Sequence, residues 1–240
     1  MLKQLDLSEV LFLDIETVSG KPNFEDLSPE WQKLWDEKTR FQRGENKTAE
    51  DYYPERAGIL AEFGKIVCVS MGYFDRAHGQ GRRFLIKSFF GENENELLEE
   101  VCQVLHKKSQ MRLCAHNGKE FDFPYLCRRL LINGLEIPGV LNLQGKKPWE
   151  VHHLDTMELW RFGDYKNFTS LKLLTQCLGI ESSKNDIDGS EVGRVFWQEN
   201  DLERIARYCA QDVKALAQIL LKMRQESLLA ADEVAFLGLS

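Results

Sequence analysis

The clearest hydrophobic pattern lies near the start of the chain. Val10–Thr17 reads V-L-F-L-D-I-E-T, four consecutive apolar residues followed by two acids. An unbroken apolar run of this length marks a strand covered on both faces. Lys65–Tyr73 (K-I-V-C-V-S-M-G-Y) and Arg83–Phe89 are rich in β-branched and aromatic residues and predict a second and third strand, joined by a turn containing Gly79 and Gly81. The period then lengthens. In Asn95–Lys108, residues Leu97, Leu98, Val101, Val104 and Leu105 fall on one helical stripe, with acids leading and Lys107-Lys108 closing. Met111–Ala115 predicts a fourth strand. A helix follows from about Pro124 to Ile132, with Pro124 in its first turn and Asn133-Gly134 ending it. His153–Asp155 reads as the end of a fifth strand, with Asp155-Thr156 capping the next helix, Leu171–Leu178 as a helix stopped by Gly179, and Ser190–Gln198 as a short helix. The last element is a long helix from Leu202 to about Gln225, its stripe formed by Ile205, Cys209, Val213, Leu216 and Leu220 and its start by Asn200 with Glu203 three residues on.

Three strands in a meander, then alternating helix and strand, imply an α/β protein with a mixed five-stranded sheet and helices on both faces. The first and fourth strands are expected to be parallel neighbours, and sites form at the carboxyl ends of such strands. Residues 1–240 read as a single domain with a polar insertion at about 19–63, where Pro22, Pro29 and Pro54 break the pattern. Glu30–Lys38 and Arg56–Glu62 are its expected helices. Its scattered aromatics (Phe24, Trp31, Trp35, Phe41, Tyr52, Tyr53) predict packing onto the body and not a free tail.

Composition narrows the function. A net charge of −7 argues against broad, sequence-independent duplex binding, which uses a basic surface, but leaves room for an enzyme that grips a short strand end. The basic pairs Arg82-Arg83, Arg128-Arg129 and Lys146-Lys147 read as solvated surface. Six cysteines without a C-x-x-C pair read as small buried hydrophobes of a reduced compartment. With no signal-peptide pattern and no membrane-length apolar run, the expected location is cytoplasmic, with no membrane partner. The G-x-G at Gly79 lacks the third glycine and strand-to-helix setting of a nucleotide fingerprint.

The chemistry resides in acids. Strand side chains alternate, so Asp14 and Glu16 point the same way. Two carboxylates side by side after a buried run resist ionisation, and a divalent cation is the best candidate to neutralise them. Asp122 stands just before the Pro124 helix, where an anion is favoured. Tyr208 and Asp212, four apart, share one face of the long helix beside its buried stripe. Singly, each has a bland explanation: a strand meeting water, a capping Asp, a boundary Tyr and a solvated Asp.

Taken in order, F-L-D-I-E-T, H-N-G-K-E-F-D-F-P-Y-L, S-L-K-L-L, D-I-D-G-S-E-V and Y-C-A-Q-D-V, spread over residues 11–213, resemble the blocks of the DEDD superfamily of 3′–5′ exonucleases in its tyrosine (DEDDy) subclass. The histidine subclass wants a histidine one place earlier, where this chain has Arg207. The resemblance extends to stand-alone exonucleases related to the proofreading domain of family B DNA polymerases. It implies a ribonuclease H-like fold and two-metal hydrolysis that releases nucleoside 5′-monophosphates from single-stranded or frayed DNA 3′ ends. It also implies catalytic roles for Asp14, Glu16, Asp122, Tyr208 and Asp212. Asp14 would bridge two Mg²⁺ or Mn²⁺ ions about 3.5–4 Å apart, Glu16 and Asp212 would hold one ion, and Asp122 would support the other. Tyr208, with an ordinary phenol pKa near ~10, would position water instead of acting as a base. Asn117 and Phe121 are candidate contacts to the terminal sugar and base, with a turn and core packing as their structural alternatives. His116 is expected to be a hydrogen-bonded strand-end residue, and His152-His153 lacks a third nitrogen or sulfur ligand. A 3′–5′ exoribonuclease of the same mechanism and a ribonuclease H-like binding module that no longer cuts are the alternatives. Without a polymerase or helicase segment in these residues, proofreading is expected to act in trans.

Overall fold

The structure, a computed structural model, describes residues 2–44, 47–75, 82–147, 150–164, 166–181 and 187–239. Strands β1 (Val10–Ser19), β2 (Gly64–Phe74), β3 (Phe84–Phe90), β4 (Arg112–Ala115), β5 (Leu154–Asp155) and β6 (Val234–Leu237) form one sheet in the order β5-β4-β1-β2-β3-β6. β2 runs antiparallel to β1 and β3, and the other neighbours are parallel. The expected meander and the parallel β1–β4 pair are therefore present, and the order and directions are those of a ribonuclease H-like sheet. The sheet has six strands and not five. The sixth covers the β3 edge with four residues, three half-buried and Leu237 exposed, too few to produce a periodic signal after the long helix. Pairing it there moves the open edge from β3 to a shorter strand.

Helices α1 (Pro29–Thr39) and α2 (Ala49–Arg56) lie between β1 and β2, and α3 (Glu94–Lys107) and α4 (Asp122–Ile132) flank β4 in sequence. Then come α5 (Thr156–Arg161), α6 (Leu171–Cys177), α7 (Val192–Arg194) with a π-helical turn over Val195–Glu199, and α8 (Leu202–Met223). β1 divides its side chains between two layers. Leu11, Leu13 and Ile15 join Leu98, Val101 and Leu105 of α3 and Phe123, Leu126 and Leu130 of α4 in one buried cluster. Val10 and Phe12 join Val213, Leu216 and Leu220 of α8 in another. Val18 continues on the α8 side against Ile205, Ala206 and Cys209. The even positions between Phe12 and Val18 are Asp14 and Glu16, so the two acids stand on the α8 face between two apolar clusters.

Several local expectations are corrected. β1 runs on to Ser19, so the acids lie inside the strand, though past the end of their parallel neighbour β4. The insertion's second helix is Ala49–Arg56, not Arg56–Glu62: Thr48 and Asp51 cap each other reciprocally, with Asp51 N donating to Thr48 Oγ1 at 3.1 Å. Trp35, Tyr53 and Phe63 give the insertion a small core, with Trp35 edge-on to both partners, whereas Phe41 is 86% exposed. α8 is capped by Asp201, which accepts from Arg204 N at 3.0 Å, while Asn200 takes a left-handed φ of 53°. Arg129 is not surface. It is buried, forks onto Glu94 at 2.8 and 2.5 Å, and donates to Ala61 O at 2.8 Å, tying the insertion to α4. Arg82 is likewise engaged, pairing with Glu233 at 3.0 Å. All six cysteines are free; Cys177 is exposed, contrary to expectation. The turn at Gly79 and Gly81 lies outside the described residues.

Candidate active site

β4 is spent after Ala115, which leaves the Ile15 amide without a strand partner on that side. Asp122 fills the gap: Ile15 N donates to Asp122 Oδ1 at 3.2 Å, fastening the start of α4 to β1 beside Asp14. The loop between β4 and α4 makes a tight turn. A Cβ at Gly118 would stand 2.3 Å from the Ala115 Cβ, so only glycine fits this approach. From the other side α8 crosses β1 at Asp14, where the Cys209 thiol reaches Asp14 Oδ2 at 3.3 Å and Asp14 O at 3.4 Å. Tyr208 and Asp212 flank that crossing, and the Tyr208 hydroxyl bonds the Asp212 carboxylate. Asp14, Glu16, Asp122, Tyr208 and Asp212 are thus brought to one place from β1, α4 and α8.

The electrostatics are those of crowded, buried acids. Glu16 and Asp122 are 7% and 4% exposed, whereas Asp14 and Asp212 keep part of their surface open to water. Burial, then repulsion from Asp122 and Asp212, lifts Asp14 well above the usual carboxylate range. Burial, then Asp14 and Asp212, does the same to Glu16. Burial pushes Asp122 up to about 7 against the bonds from its own and the Ile15 amide, and Asp212 up to about 6 against the Tyr208 hydroxyl. The interactions that set these four values include no lysine or arginine. Tyr208 is held well above the usual phenol range by burial and by Asp212, Glu16 and Asp14.

Among the described residues, Asp14, Glu16 and Cys209 place potential ligand atoms within 4.8 Å of one another. Burial holds the Cys209 thiol well above its ordinary range, and it donates to Asp14 Oδ2. Cys209 is the site neighbour that sequence reasoning missed. It reads as one more apolar stripe residue, and its position between Tyr208 and Asp212 was the available signal.

The other candidates separate. Phe121 directly precedes Asp122, and its ring lies 5.3 Å from that of Tyr125. Asn117 has a left-handed φ of 62° and a buried Oδ1 without a hydrogen-bond partner. It lines a cavity of about 530 Å³ with Pro124, Leu141 and Met157, and none of the four acids lines that cavity. A second cavity, of about 410 Å³, holds Tyr208 and Asp212 together with Ser170, Lys172, Gly189 and Lys214. His116 is bonded at both ring nitrogens, to Thr156 Oγ1 and Thr169 O at 2.8 Å each, as expected of a strand-end histidine. His153 contacts Leu113 N and Val140 O. Asp155 caps α5 and also accepts from Asn117 N at 3.0 Å and Lys119 N at 3.2 Å, fixing the loop ahead of Asp122.

The sheet order and the buried carboxylates gathered where β1 outruns β4 define an α/β protein of ribonuclease H-like architecture. Residues 59–229 match the family described as a predicted 3′–5′ exonuclease related to the exonuclease domain of PolB, and the chain belongs to this family. The matched span includes Asp122, Tyr208 and Asp212 and begins after Asp14 and Glu16. DNA polymerase 1 of Pyrococcus abyssi is 21% identical over 140 residues, which are 53% of this chain and 18% of the polymerase. The family B DNA polymerase of Pyrobaculum calidifontis superposes with a TM-score of 0.49 at 17% identity, over 88% of this chain and 24% of that one. The chain thus spans under a fifth of the curated polymerase and about a quarter of the solved one. No helix among the described residues is long and apolar enough to cross a membrane.

Proposed function

We propose that the protein is a metal-dependent 3′–5′ exonuclease that removes nucleoside 5′-monophosphates from single-stranded or frayed DNA ends, and that residues 1–240 act as one catalytic domain. The reading is carried by the charge imbalance around Asp14: four crowded acids, each raised by burial, with no lysine or arginine among the described residues that shift them. Such a set is stable as carboxylates only against added positive charge. Its donors are oxygens, which suit Mg²⁺ or Mn²⁺ and not zinc. Asp14, Glu16, Asp122 and Asp212 would hold two such ions. Bound there, the ions supply the charge that activates a water and stabilises the departing 3′ oxygen.

The protein's own groups do the rest. Tyr208 stays a neutral phenol, so it orients a water and Asp212 by hydrogen bonding and does not take a proton. The Ile15 amide fixes Asp122, and the Cys209 thiol fixes Asp14, so two of the four acids are held in place before any substrate arrives. The cavity beside Tyr208 and Asp212 gives a strand end somewhere to lie, with Lys172 and Lys214 in its wall as partners for phosphate.

The test is a 5′-labelled single-stranded DNA, with an RNA of the same sequence, incubated with Mg²⁺, with Mn²⁺ and with chelator, beside Asp14→Ala. The expected result is a metal-dependent ladder on DNA that falls at least about a thousandfold in the variant. A gel shift without shortening under either metal overturns the reading, and a ladder on RNA alone overturns its DNA preference.

A further inference from the structure

Two aromatic rings a few residues ahead of the cavity-lining segment Ser170–Lys172 stand in water. Phe162 is 91% exposed and Phe168 is 66% exposed, although burying a phenylalanine is among the larger gains available to a fold. Phe162 also takes a left-handed φ of 47°, a conformation that bulky side chains rarely adopt. That conformation ends α5, of which Phe162 is the C-cap.

The loop that carries the rings is anchored. Arg161 Nε donates to Asn167 O at 3.2 Å, so the side chain just before Phe162 is tied to the backbone just before Phe168. Lys166 N donates to Asp164 Oδ1 at 3.1 Å, and Asn167 Nδ2 bonds the same carboxylate. Thr169 O accepts from the His116 ring, which fixes the loop to the end of β4. Two residues after Phe168 the chain enters the wall of the cavity that holds Tyr208 and Asp212, through Ser170, Leu171 and Lys172. Between 161 and 172 the chain carries Arg161, Lys166 and Lys172 against the single acid Asp164, on a protein of net charge −7; Arg161 faces Glu120 at 4.0 Å, which leaves Lys166 and Lys172 as the cations of the strip. Exposed rings interleaved with cations and continuous with a nuclease cavity are how single strands are gripped without regard to sequence.

We propose that Phe162 and Phe168 are a stacking platform for bases of a single strand lying 5′ to the bond that is cut. The proposal rests on the exonuclease reading and gives it a basis for preferring longer single strands. Each stacked base adds affinity that a substrate too short to reach the rings does not gain.

The experiment uses the whole protein, with Phe162→Ala, Phe168→Ala and the double variant. Affinity for a fluorescent single-stranded 15-mer is read by anisotropy in chelator, and KM for the 15-mer and for a trinucleotide is read with Mg²⁺. We expect each substitution to weaken 15-mer affinity about tenfold and to erase the KM preference for the longer strand by the same factor. Replacing the upstream nucleotides with abasic sites should cost the wild type as much as the double substitution does, about a hundredfold, and the double variant nothing. A double variant that binds the 15-mer like the wild type overturns the platform. So does one whose only defect, by sedimentation, is loss of a dimer. A wild type that binds but never cuts sinks the exonuclease reading alone, because the anisotropy comparison stands without hydrolysis.

Discussion

Tyr208 sits one turn before Asp212 and donates to its carboxylate, and burial with the surrounding acids keeps the phenol protonated far above neutral pH. A group in that state positions and does not titrate. Tyr208→Phe keeps the ring's packing and removes one donor, so kcat should fall about 10- to 100-fold with the fold intact. The alkaline limb of the pH–rate profile should coincide with that of the wild type. A limb displaced in the variant would mean that the phenol ionises in the working range. At this scale much of the cluster was legible: D-x-E on an apolar run, an acid before a helix and Y-x-x-x-D on a helix face each give a direction to a side chain. Cys209 was not legible as a site neighbour, because a buried thiol has the same signature as any small apolar stripe residue. Nor was the left-handed φ of Phe162 at the end of α5.

Among the elements, long periodic segments were readable and short or non-periodic ones were not. β1 to β3, α3 and α8 announce themselves by alternation or by an apolar stripe. β6 is too short to do so, and α2 starts from the reciprocal cap of Thr48 and Asp51, a pattern that the eye passes over in a polar stretch. Arg129 shows why paired basic residues mislead. Its neighbour Arg128 lies nearer the surface, while Arg129 points inward from α4 and meets Glu94, which also receives the Ile66 amide at 2.7 Å. That bridge links α3, α4, β2 and the insertion. Arg129→Ala should destabilise the protein by about 3–5 kcal/mol, because it strands a buried carboxylate. Denaturant unfolding monitored by circular dichroism gives the number, and a loss under about 1 kcal/mol would mean that Glu94 finds water instead.

For the molecule as a whole, the acid cluster sets a conflict between folding and function. Asp122 and Asp212 rise from an ordinary value of 3.8 to about 7 and about 6. Between about pH 4 and 7 the folded chain therefore holds protons that the unfolded chain has lost, and stability falls as pH rises through that window. In chelator, the Tm should drop as the buffer moves from about pH 5 to pH 8, and millimolar Mn²⁺ should restore it at the upper end. Calorimetry across that range checks both halves. A Tm that climbs with pH in chelator would show that the acids have a cationic partner after all.

The two-layered habit of β1 also limits how this protein can drift. Because its sides trade places at every residue, Val10 to Glu16 can absorb swaps of one side chain for another but not a change of length. Gaining or losing one residue there would turn the carboxylates into the oily layer beneath α3 and α4 and swing Leu11 and Leu13 out toward α8. Descendants of this chain can rewrite that stretch letter by letter, but they cannot re-space it.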